Sequence, residues 1–418
     1  MRRWLAAALS MVPCVFARAD LVDPSPARAA ELRQKANVET WDDGGEVSNF
    51  VYRHPSELFP AAIVKRGGAV RELAVRLRGD VADFVVDSDG GSPRTLRDYV
   101  DREPLDGLLV VHRGVIVFER YPRMRPDDRH VSFSVTKAFV GALVALLEDD
   151  GAIDLRQPLS RYLPELRGTA WQDIAVRDVA DMASGIDGKE SEDAYTNPAH
   201  KIFRMEAALG WQPRHADMPA AVREGDAYGY IATMGKGREP GTKFEYSSID
   251  TLMLAQLIER VSARRLADLL SERIWSRMGA EGDGLMLVNE RGIAVAHAGL
   301  ALTLRDLARF GLLFTAGADP APIPARVRAR MLKEGRPALL GTDRPAWHTH
   351  ASYQWDFVHE DGMYMKGGFG GQGLYIDARR DVVVVMFGTN TSVDAPAPPM
   401  PVLRMVPALF PESAVKSR

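Results

Sequence analysis

The strand-forming segments of this chain lie towards both of its ends, with a long helical stretch between them. Two apolar runs flank a turn within residues 108–118, and two more flank a turn between Leu374 and Phe387, so each pattern predicts a β-hairpin. Residues 152–290 are predicted to be mostly helical. A sheet drawn from both ends of the chain, with a helical insertion, fits one α+β unit better than two tandem domains.

The composition is compatible with one such globular unit. The chain has 418 residues, of which 46% are hydrophobic and 26% charged, and its formal net charge is -3. This charge gives no reason to expect a nucleic-acid partner. We expect residues 20–100 to be an extension packed on a main domain over 101–415, in which 152–290 form a helical subdomain. Helices are predicted over 134–149, 252–261, 304–313 and about 399–409.

The first nineteen residues have the pattern of a secretory signal peptide. Two arginines precede a short apolar run, and Ala17-Arg18-Ala19 fits a small-x-small cleavage site, so we expect a mature start at Asp20 and a periplasmic or secreted protein. The run is far shorter than the roughly 20 residues of a membrane-spanning helix, which leaves an uncleaved interfacial anchor as the alternative. Cleavage would remove Cys14, the only cysteine, so disulfides and thiolate chemistry are not expected.

The most informative chemical motif is the S-V-T-K sequence from Ser134 to Lys137, at the start of the helix predicted over 134–149. A lysine three residues after a serine lies on the same helix face, about one turn away. An amine in that position can accept the hydroxyl proton, so Ser134 is a candidate nucleophile and Lys137 its base. The spacing alone is weak support, because Ser413 and Lys416 repeat it in what looks like a solvated tail.

A second candidate group is Tyr246, which follows a Pro-Gly turn and precedes the helix predicted from Leu252. We expect a phenol held between two cations to lose its proton below the usual pKa of about 10. Such a phenol could carry a proton between Ser134 and a leaving group. The alternative is a half-buried tyrosine that only anchors its loop.

The glycine-rich segment from Lys366 to Gly373 precedes the strand predicted at Leu374. Glycines let a strand backbone approach a ligand closely, and its N–H groups could then bind an oxyanion or pair with an extended substrate. The segment also matches G-x-G-x-x-G, but a strand rather than a helix follows it, so we expect no dinucleotide cofactor. A glycine-rich bulge without a ligand is the alternative.

Other catalytic classes lack their motifs. The nine histidines are scattered, and His348 and His350 are the only close pair, so we expect neither a metal site nor a cofactor. No G-x-S-x-G sequence occurs, which argues against an α/β-hydrolase triad.

The three motifs taken in order resemble those of the serine β-lactamase and penicillin-binding superfamily, which has S-x-x-K, a second motif with Ser or Tyr, and K-T-G. Within this superfamily the chain is most similar to the branch of 6-aminohexanoate-dimer hydrolase and related esterases. The resemblance covers about residues 40–410. The features that suggest the branch are Arg53-His54-Pro55 and its surroundings, the loop from Tyr195 to Trp211, and Phe369-Gly370-Gly371-Gln372.

The resemblance implies a β-lactamase/transpeptidase-like fold, an antiparallel sheet flanked by helices, and hydrolysis through an acyl-enzyme. Ser134 would be the nucleophile, Lys137 its base and Tyr246 the second acid/base. Backbone N–H groups of Ser134 and of residues 370–373 would form the oxyanion hole, and Tyr195 would close over the substrate unless it is merely an exposed loop residue. The implied substrate-binding and oxyanion residues are Tyr195, Ser248, Lys366, Gly368, Gly370, Gly371 and Gln372.

Two departures from the superfamily motifs shape the expected function. Ser248 occupies the position of an asparagine, and K-T-G is replaced by K-G-G from Lys366 or, in another register, by G-F-G from Gly368. In the resembled enzymes the cation of K-T-G binds the β-lactam carboxylate, so we expect hydrolysis of a small-molecule ester or amide instead. The alternatives are a β-lactamase or DD-peptidase-type enzyme, and a non-catalytic binding or sensor domain. Nothing in the residues specifies an oligomeric state.

Overall fold

The computed structural model describes residues 21–86, 92–315, 322–342, 344–345, 348–392 and 401–412. The predicted signal peptide with Cys14, and the second serine–lysine spacing at Ser413, lie outside these ranges. No helix within the described ranges has the length and apolar composition needed to span a lipid bilayer.

The described ranges contain the following strands and helices. In chain order the strands are β1 Ala61–Val64, β2 Ala74–Val75, β3 Val85–Val86, β4 Arg94–Thr95, β5 Leu105–His112, β6 Val115–Arg120, β7 His130–Val131, β8 Gly284–Leu287, β9 Leu300–Leu302, β10 Phe357–His359, β11 Met363–Gly368, β12 Gln372–Asp377 and β13 Val382–Gly388. The helices are α1 Pro26–Lys35, α2 Gly45–Arg53, α3 Gly79–Ala82, α4 Leu96–Arg102, α5 Thr136–Asp149, α6 Val176–Ala180, α7 Lys201–Ala208, α8 Ala220–Arg223, α9 Ala227–Ala232, α10 Ser248–Ser262, α11 Leu266–Leu270, α12 Leu304–Leu312, α13 Ala325–Lys333 and α14 Val402–Leu409.

The central sheet has seven strands in the order β10-β11-β12-β13-β5-β6-β2. Its neighbouring strands are antiparallel, except for the short edge pair of β2 and β6, which is parallel. Strands from the two ends of the chain meet where β13 pairs with β5, with Val385 opposite Leu109. The predicted α+β sheet built from both ends of the chain is therefore confirmed.

Strand β13 shows why the sheet is covered on both faces. All seven of its residues, Val382–Gly388, are buried. Val383 and Val385 pack into the core that contains α5 and α12, while Val384 packs into the core on the opposite face, with α4 and α14. Because successive side chains of a strand point to opposite faces, an uninterrupted apolar run is stable only between two layers of helices.

A second, four-stranded sheet in the order β1-β8-β9-β7 lies beside the helical part of the chain. Its strand β7 leads directly into the start of α5, and β9 pairs with β7, so His130 lies opposite Leu302. The small sheet therefore positions the segment just before α5, where the candidate nucleophile lies. Residues 152–290, predicted to be mostly helical, contain the 15-residue helix α10, the shorter helices α6 to α9 and α11, and strand β8. Loops make up much of the remainder, so less of this segment is helical than predicted.

The N-terminal segment is attached to the central sheet through the buried Asp106 on β5. Asn49 of α2 donates a hydrogen bond from Nδ2 to Asp106 Oδ1 at 2.8 Å, and Thr389 donates to Oδ2 at 2.5 Å. Arg123 and His130 lie 2.9 Å from the two carboxylate oxygens. A buried carboxylate is tolerated only with such partners, and here those partners come from four separate parts of the chain.

Candidate active site

Ser134 lies in a single 3-10 turn, Phe133–Val135, immediately before α5. Phe133 has a φ of +44°, which is unusual for a residue with a side chain and marks a tight turn between β7 and the helix. Ser132 fixes this turn, since its backbone N–H and its hydroxyl both donate to Leu300 O, at 2.8 and 2.7 Å. Ser134 therefore lies on a rigid junction, and α5 begins two residues later than the predicted start.

Lys137, in the first turn of α5, is fully buried beside the serine. Its Nζ lies 3.0 Å from Ser134 Oγ and 2.9 Å from the main-chain oxygen of His297. Burial lowers the pKa of Lys137 to about 7, and the positive charge of Lys366 also lowers it, against the opposing effects of Glu190 and other carboxylates. A substantial fraction of this amine is thus unprotonated near neutral pH and can accept a proton.

Tyr246 lies between two lysines, in the loop before α10. The Nζ atoms of Lys137 and Lys366 are 4.9 and 4.5 Å from the centre of its ring, and Tyr246 lines the same cavity as Ser134. The expectation of an easily lost proton is wrong. Burial and the nearby carboxylates of Glu190 and Asp356 raise the pKa of Tyr246 well above 10. Tyr246 is therefore a neutral phenol that can donate a proton.

Lys366, near the end of β11, is fully buried and forms an ion pair with Asp356 Oδ1. The other oxygen of the same carboxylate accepts a hydrogen bond from the Gly367 N–H at 3.0 Å. The structure thus places the K-G-G sequence, Lys366 to Gly368, at the site. The ammonium group of Lys366 is already paired with Asp356. Asp356 was missed in the sequence analysis, because it lies ten residues before Lys366 and belongs to no motif.

Gly368 ends β11 directly against the nucleophile turn. A Cβ atom at this position would lie 2.9 Å from Ser132 O and 3.2 Å from Ser134 N, closer than ordinary packing allows. Only glycine lets the strand backbone approach the serine amide this closely. Gly368 and Phe369 line the cavity in front of Ser134, so this edge is the candidate oxyanion site.

Three other residues assigned to this edge lie elsewhere. Gly370, Gly371 and Gln372 are buried and are not among the described residues that line the cavity. Gln372 Nε2 donates to Phe369 O at 2.8 Å and to Gly388 O at 2.7 Å, while Gly388 N donates back to its Oε1 at 3.0 Å. Gly370 and Gly371 have φ angles of +77° and +96°. Gly370, Gly371 and Gln372 therefore shape and fix the turn behind the end of β11.

Ser248 is also placed differently from the expectation. It is the first residue of α10, its side chain is fully buried, and it does not line the cavity. Its backbone N–H donates to Glu190 Oε1 at 2.6 Å. The hydroxyl of Ser248, which stands where the superfamily has an asparagine, is therefore buried in the protein and does not face the cavity.

Tyr195 lies at the mouth of the cavity, as its loop position suggested. Its side chain is 40% exposed, and its hydroxyl donates to Glu190 Oε2 at 2.5 Å. Through its two carboxylate oxygens, Glu190 therefore connects Tyr195 to the N-terminus of α10. No spacing rule identified Glu190, which is one of several acidic residues in a polar loop.

The cavity in front of Ser134 has a volume of about 600 Å³ and an acidic, aromatic lining. None of the described residues that line it is a lysine or an arginine. The carboxylates of the lining are Glu39, Asp42, Asp43, Glu190, Glu206 and Asp356, and its aromatic residues include Trp41, Phe133, Tyr195, Phe203, Trp211, Tyr246 and Phe369.

One wall of the cavity comes from the N-terminal segment. Trp41 Nε1 donates to Trp211 O at 3.1 Å, and the two indole rings are in edge contact with centres 4.8 Å apart. Next to Trp41, burial and the charges of Asp43 and Glu206 raise the pKa of Asp42 to about 7. No local motif points to Trp41, Asp42 or Asp43, so the sequence alone does not identify them.

The fold and the Ser134–Lys137–Tyr246 geometry are those of a serine hydrolase that acts on amide or ester bonds. The family described as Beta-lactamase matches residues 94–404, and the chain belongs to this family. The expected superfamily is therefore confirmed.

Three individual proteins are similar to this chain over different parts of its length. The chain is 30% identical to the 6-aminohexanoate-dimer hydrolase of Paenarthrobacter ureafaciens over 365 residues, which cover 83% of this chain and 86% of that protein. A Bacillus anthracis protein assigned as a 6-aminohexanoate-dimer hydrolase superposes with a TM-score of 0.74 and 25% identity, covering 93% of this chain and 96% of that one. A D-aminopeptidase of Cereibacter sphaeroides is 27% identical over 178 residues, 42% of this chain and 30% of that protein.

Proposed function

We propose that the protein is a secreted hydrolase that cleaves an amide or ester bond through an acyl-enzyme on Ser134. The observation that carries this proposal is the pairing of Ser134 Oγ with the buried Lys137 Nζ at 3.0 Å. A lysine with a pKa of about 7 is a competent base near neutral pH. The signal-like N-terminus supports secretion.

In acylation, Ser134 Oγ forms a bond to the substrate carbonyl carbon while its proton moves to Lys137. The carbonyl π electrons move to oxygen, which faces the amide of Ser134 and the end of β11 at Gly368. When this intermediate collapses, the bond to the leaving nitrogen or oxygen breaks, and the Tyr246 hydroxyl protonates the leaving group. Lys137 returns its proton to Tyr246, and water then attacks the ester on Ser134 with the same groups acting in reverse.

The lining of the cavity supports a substrate that carries an amino group. Six carboxylates and no lysine or arginine line the described part of the cavity, so a positive charge is favoured there and a negative charge is disfavoured. Aromatic faces such as Trp41 and Trp211 add a favourable environment for an alkylammonium group. The relative from Paenarthrobacter is named for a dimer of 6-aminohexanoate, a substrate with such a group.

The test is whether Ser134 becomes acylated and whether turnover depends on it. Purified protein is treated with a fluorophosphonate probe and with p-nitrophenyl esters, and the modified residue is located by peptide mass spectrometry. Ser134→Ala is expected to lose labelling and to lower kcat by about 10³-fold or more. Ser191→Ala, a change of an exposed serine near the mouth, is the matched control and is expected to behave as wild type. Full ester turnover by Ser134→Ala would refute the proposal.

A β-lactamase or penicillin-binding activity is the second candidate, and the geometry disfavours it. The cation that would bind a β-lactam carboxylate, Lys366, is already paired with Asp356, and the surrounding lining is acidic. We therefore expect no labelling of Ser134 by a fluorescent penicillin. Labelling at micromolar probe concentrations would favour the second candidate.

A further inference from the structure

We propose that Glu206 and His297 form a positioning pair for the general base. Glu206 fixes the imidazole of His297, and the main-chain carbonyl of His297 then orients the Lys137 amine towards Ser134. This inference rests on the proposed function, because it assigns the pair a role in activating the same serine. Neither residue lies in the S-x-x-K segment or touches Ser134 directly.

The first step is the geometry around the amine. Lys137 Nζ has contacts at 3.0 Å to Ser134 Oγ and at 2.9 Å to His297 O. A neutral amine has two N–H bonds and one lone pair. When one N–H donates to the His297 carbonyl, rotation about the terminal bond of the lysine is restricted, and the lone pair can face the serine hydroxyl. The carbonyl thus selects the orientation that accepts a proton.

The second step is how that carbonyl is held. On one side, Leu300 is attached to the nucleophile segment, since its N–H donates to Thr136 Oγ1 at 3.1 Å and its carbonyl accepts from Ser132. On the other side, His297 Nε2 lies 2.7 Å from Glu206 Oε1 on α7. Backbone hydrogen bonds also hold this segment, since the Val295 N–H donates to Leu287 O at 2.9 Å and the Ala298 N–H donates to Val295 O at 3.1 Å. The Glu206 contact adds a side-chain constraint on His297 itself.

The third step is that this contact is maintained in a costly environment. Glu206 and His297 are only 4% and 2% exposed. Within the described ranges, Glu206 Oε2 and His297 Nδ1 have no hydrogen-bond partner. Buried polar atoms without partners are destabilising, and a well-packed apolar pair would avoid that penalty. A role in orienting Lys137 gives a physical reason for a buried imidazole and carboxylate at this position.

The electrostatic surroundings of Lys137 define a readout specific to this role. The charged groups that act on it come from four elements or loops: Glu190, Asp356, Lys366 and Glu206, with the neutral phenol of Tyr246 over the same amine. Glu206 favours the protonated amine. Glu206→Gln and Glu206→Ala remove the same charge, so a difference in the titration of Lys137 between the two variants reports the hydrogen bond to His297 and not the charge.

The experiment uses the full-length protein and a neutral ester, p-nitrophenyl butyrate, so that recognition of an ammonium group does not enter. We expect Glu206→Ala to lower kcat by about 10- to 100-fold with KM nearly unchanged, because the base is misplaced. We expect Glu206→Gln, which preserves a hydrogen bond, to retain most of kcat and to shift the acidic limb of the pH profile to lower pH. His297→Gln should also retain most of kcat, because the side-chain amide can donate to Glu206 in place of the ring N–H. Asp217→Asn, at an exposed carboxylate outside the cavity lining, is the control.

A second measurement separates this inference from the proposed function. The titration of Lys137 is followed by NMR in protein with ¹³C-labelled lysine, with the signal assigned by its loss in Lys137→Gln. A pKa of Lys137 that differs between Glu206→Ala and Glu206→Gln supports the pair even if Ser134→Ala proves active and the nucleophile assignment fails. If folded Glu206→Ala and Glu206→Gln have the same kcat and the same Lys137 titration, the positioning role is overturned.

Discussion

Burial has opposite results for a base and an acid at this cavity. Beside Ser134, burial lowers the pKa of a cationic group, Lys137, to about 7. In the wall from the N-terminal segment, burial and neighbouring carboxylates raise the pKa of an acid, Asp42, to about 7. In both places the desolvated charged form is disfavoured. The base becomes active and the acidic wall becomes charged over the same pH range, so catalysis and affinity for a cation should rise together.

These two groups also differ in where they come from. Ser134, Lys137 and Tyr246 lie within the range 94–404 that matches the family. Three carboxylates of the cavity lining, at Glu39, Asp42 and Asp43, lie before that range. We therefore expect substitutions in the family core to change the chemistry, and substitutions in the N-terminal segment to change selectivity.

The largest effect is expected from removing the base. Lys137→Met should lower the rate of acylation by about 10³-fold, because no other group within reach of Ser134 can accept its proton at neutral pH. Lys137→Arg should fail as well, since a guanidinium does not deprotonate in a protein. The measurement is the burst of p-nitrophenol in stopped-flow kinetics. Lys333→Met, at an exposed lysine, is the control, and an unchanged burst rate in Lys137→Met would contradict the assignment.

The next effect is the pH dependence of the wild-type enzyme. The active form of Lys137 is unprotonated, so kcat/KM for a neutral ester should fall as the pH decreases below about 7. A single titrating base with this pKa predicts a loss of about 50-fold between pH 7 and pH 5. Initial rates between pH 5 and pH 9 check this. A profile that stays flat down to pH 5 would show that Lys137 is not the group that limits the reaction.

A smaller effect is expected at the acidic wall. Asp42→Asn should reduce the preference for p-nitrophenyl 6-aminohexanoate over p-nitrophenyl hexanoate by about fivefold, which corresponds to about 1 kcal/mol for a partly solvated charge pair. The hexanoate ester itself should be turned over at the wild-type rate. Added salt should weaken the preference of the wild type. Equal losses for both esters would mean that Asp42 supports the fold or the chemistry instead of selectivity.

The smallest effect is expected at Ser248. Its buried hydroxyl does not line the cavity, so Ser248→Ala should change kcat/KM by less than about twofold. The melting temperature should stay the same or rise slightly, because the buried hydroxyl has no hydrogen-bond partner among the described residues. A tenfold rise in KM would instead return Ser248 to the substrate-binding surface.

Several parts of the molecule could be predicted from local patterns. The hairpin signal at 108–118 corresponds to β5 and β6, and the apolar run from Val382 corresponds to β13. The helix predicted from Ser134 begins at Thr136, because the nucleophile itself occupies a 3-10 turn whose preceding residue, Phe133, has a positive φ. Apolar periodicity does not reveal such a turn, since it depends on how β7 and β9 hold the segment.

The sequence by itself determined the serine–lysine pair, since three residues on a helix turn bring two side chains together whatever surrounds them. Only the tertiary structure decided the protonation of Tyr246, the inward position of Ser248 and Gln372, and the roles open to Glu190, Asp356, Glu206 and His297. Glu206 and His297 are 91 residues apart, and Lys137 and His297 are 160 apart. Contacts over such separations follow no spacing rule, and a pKa follows burial, which exists only once the chain has packed.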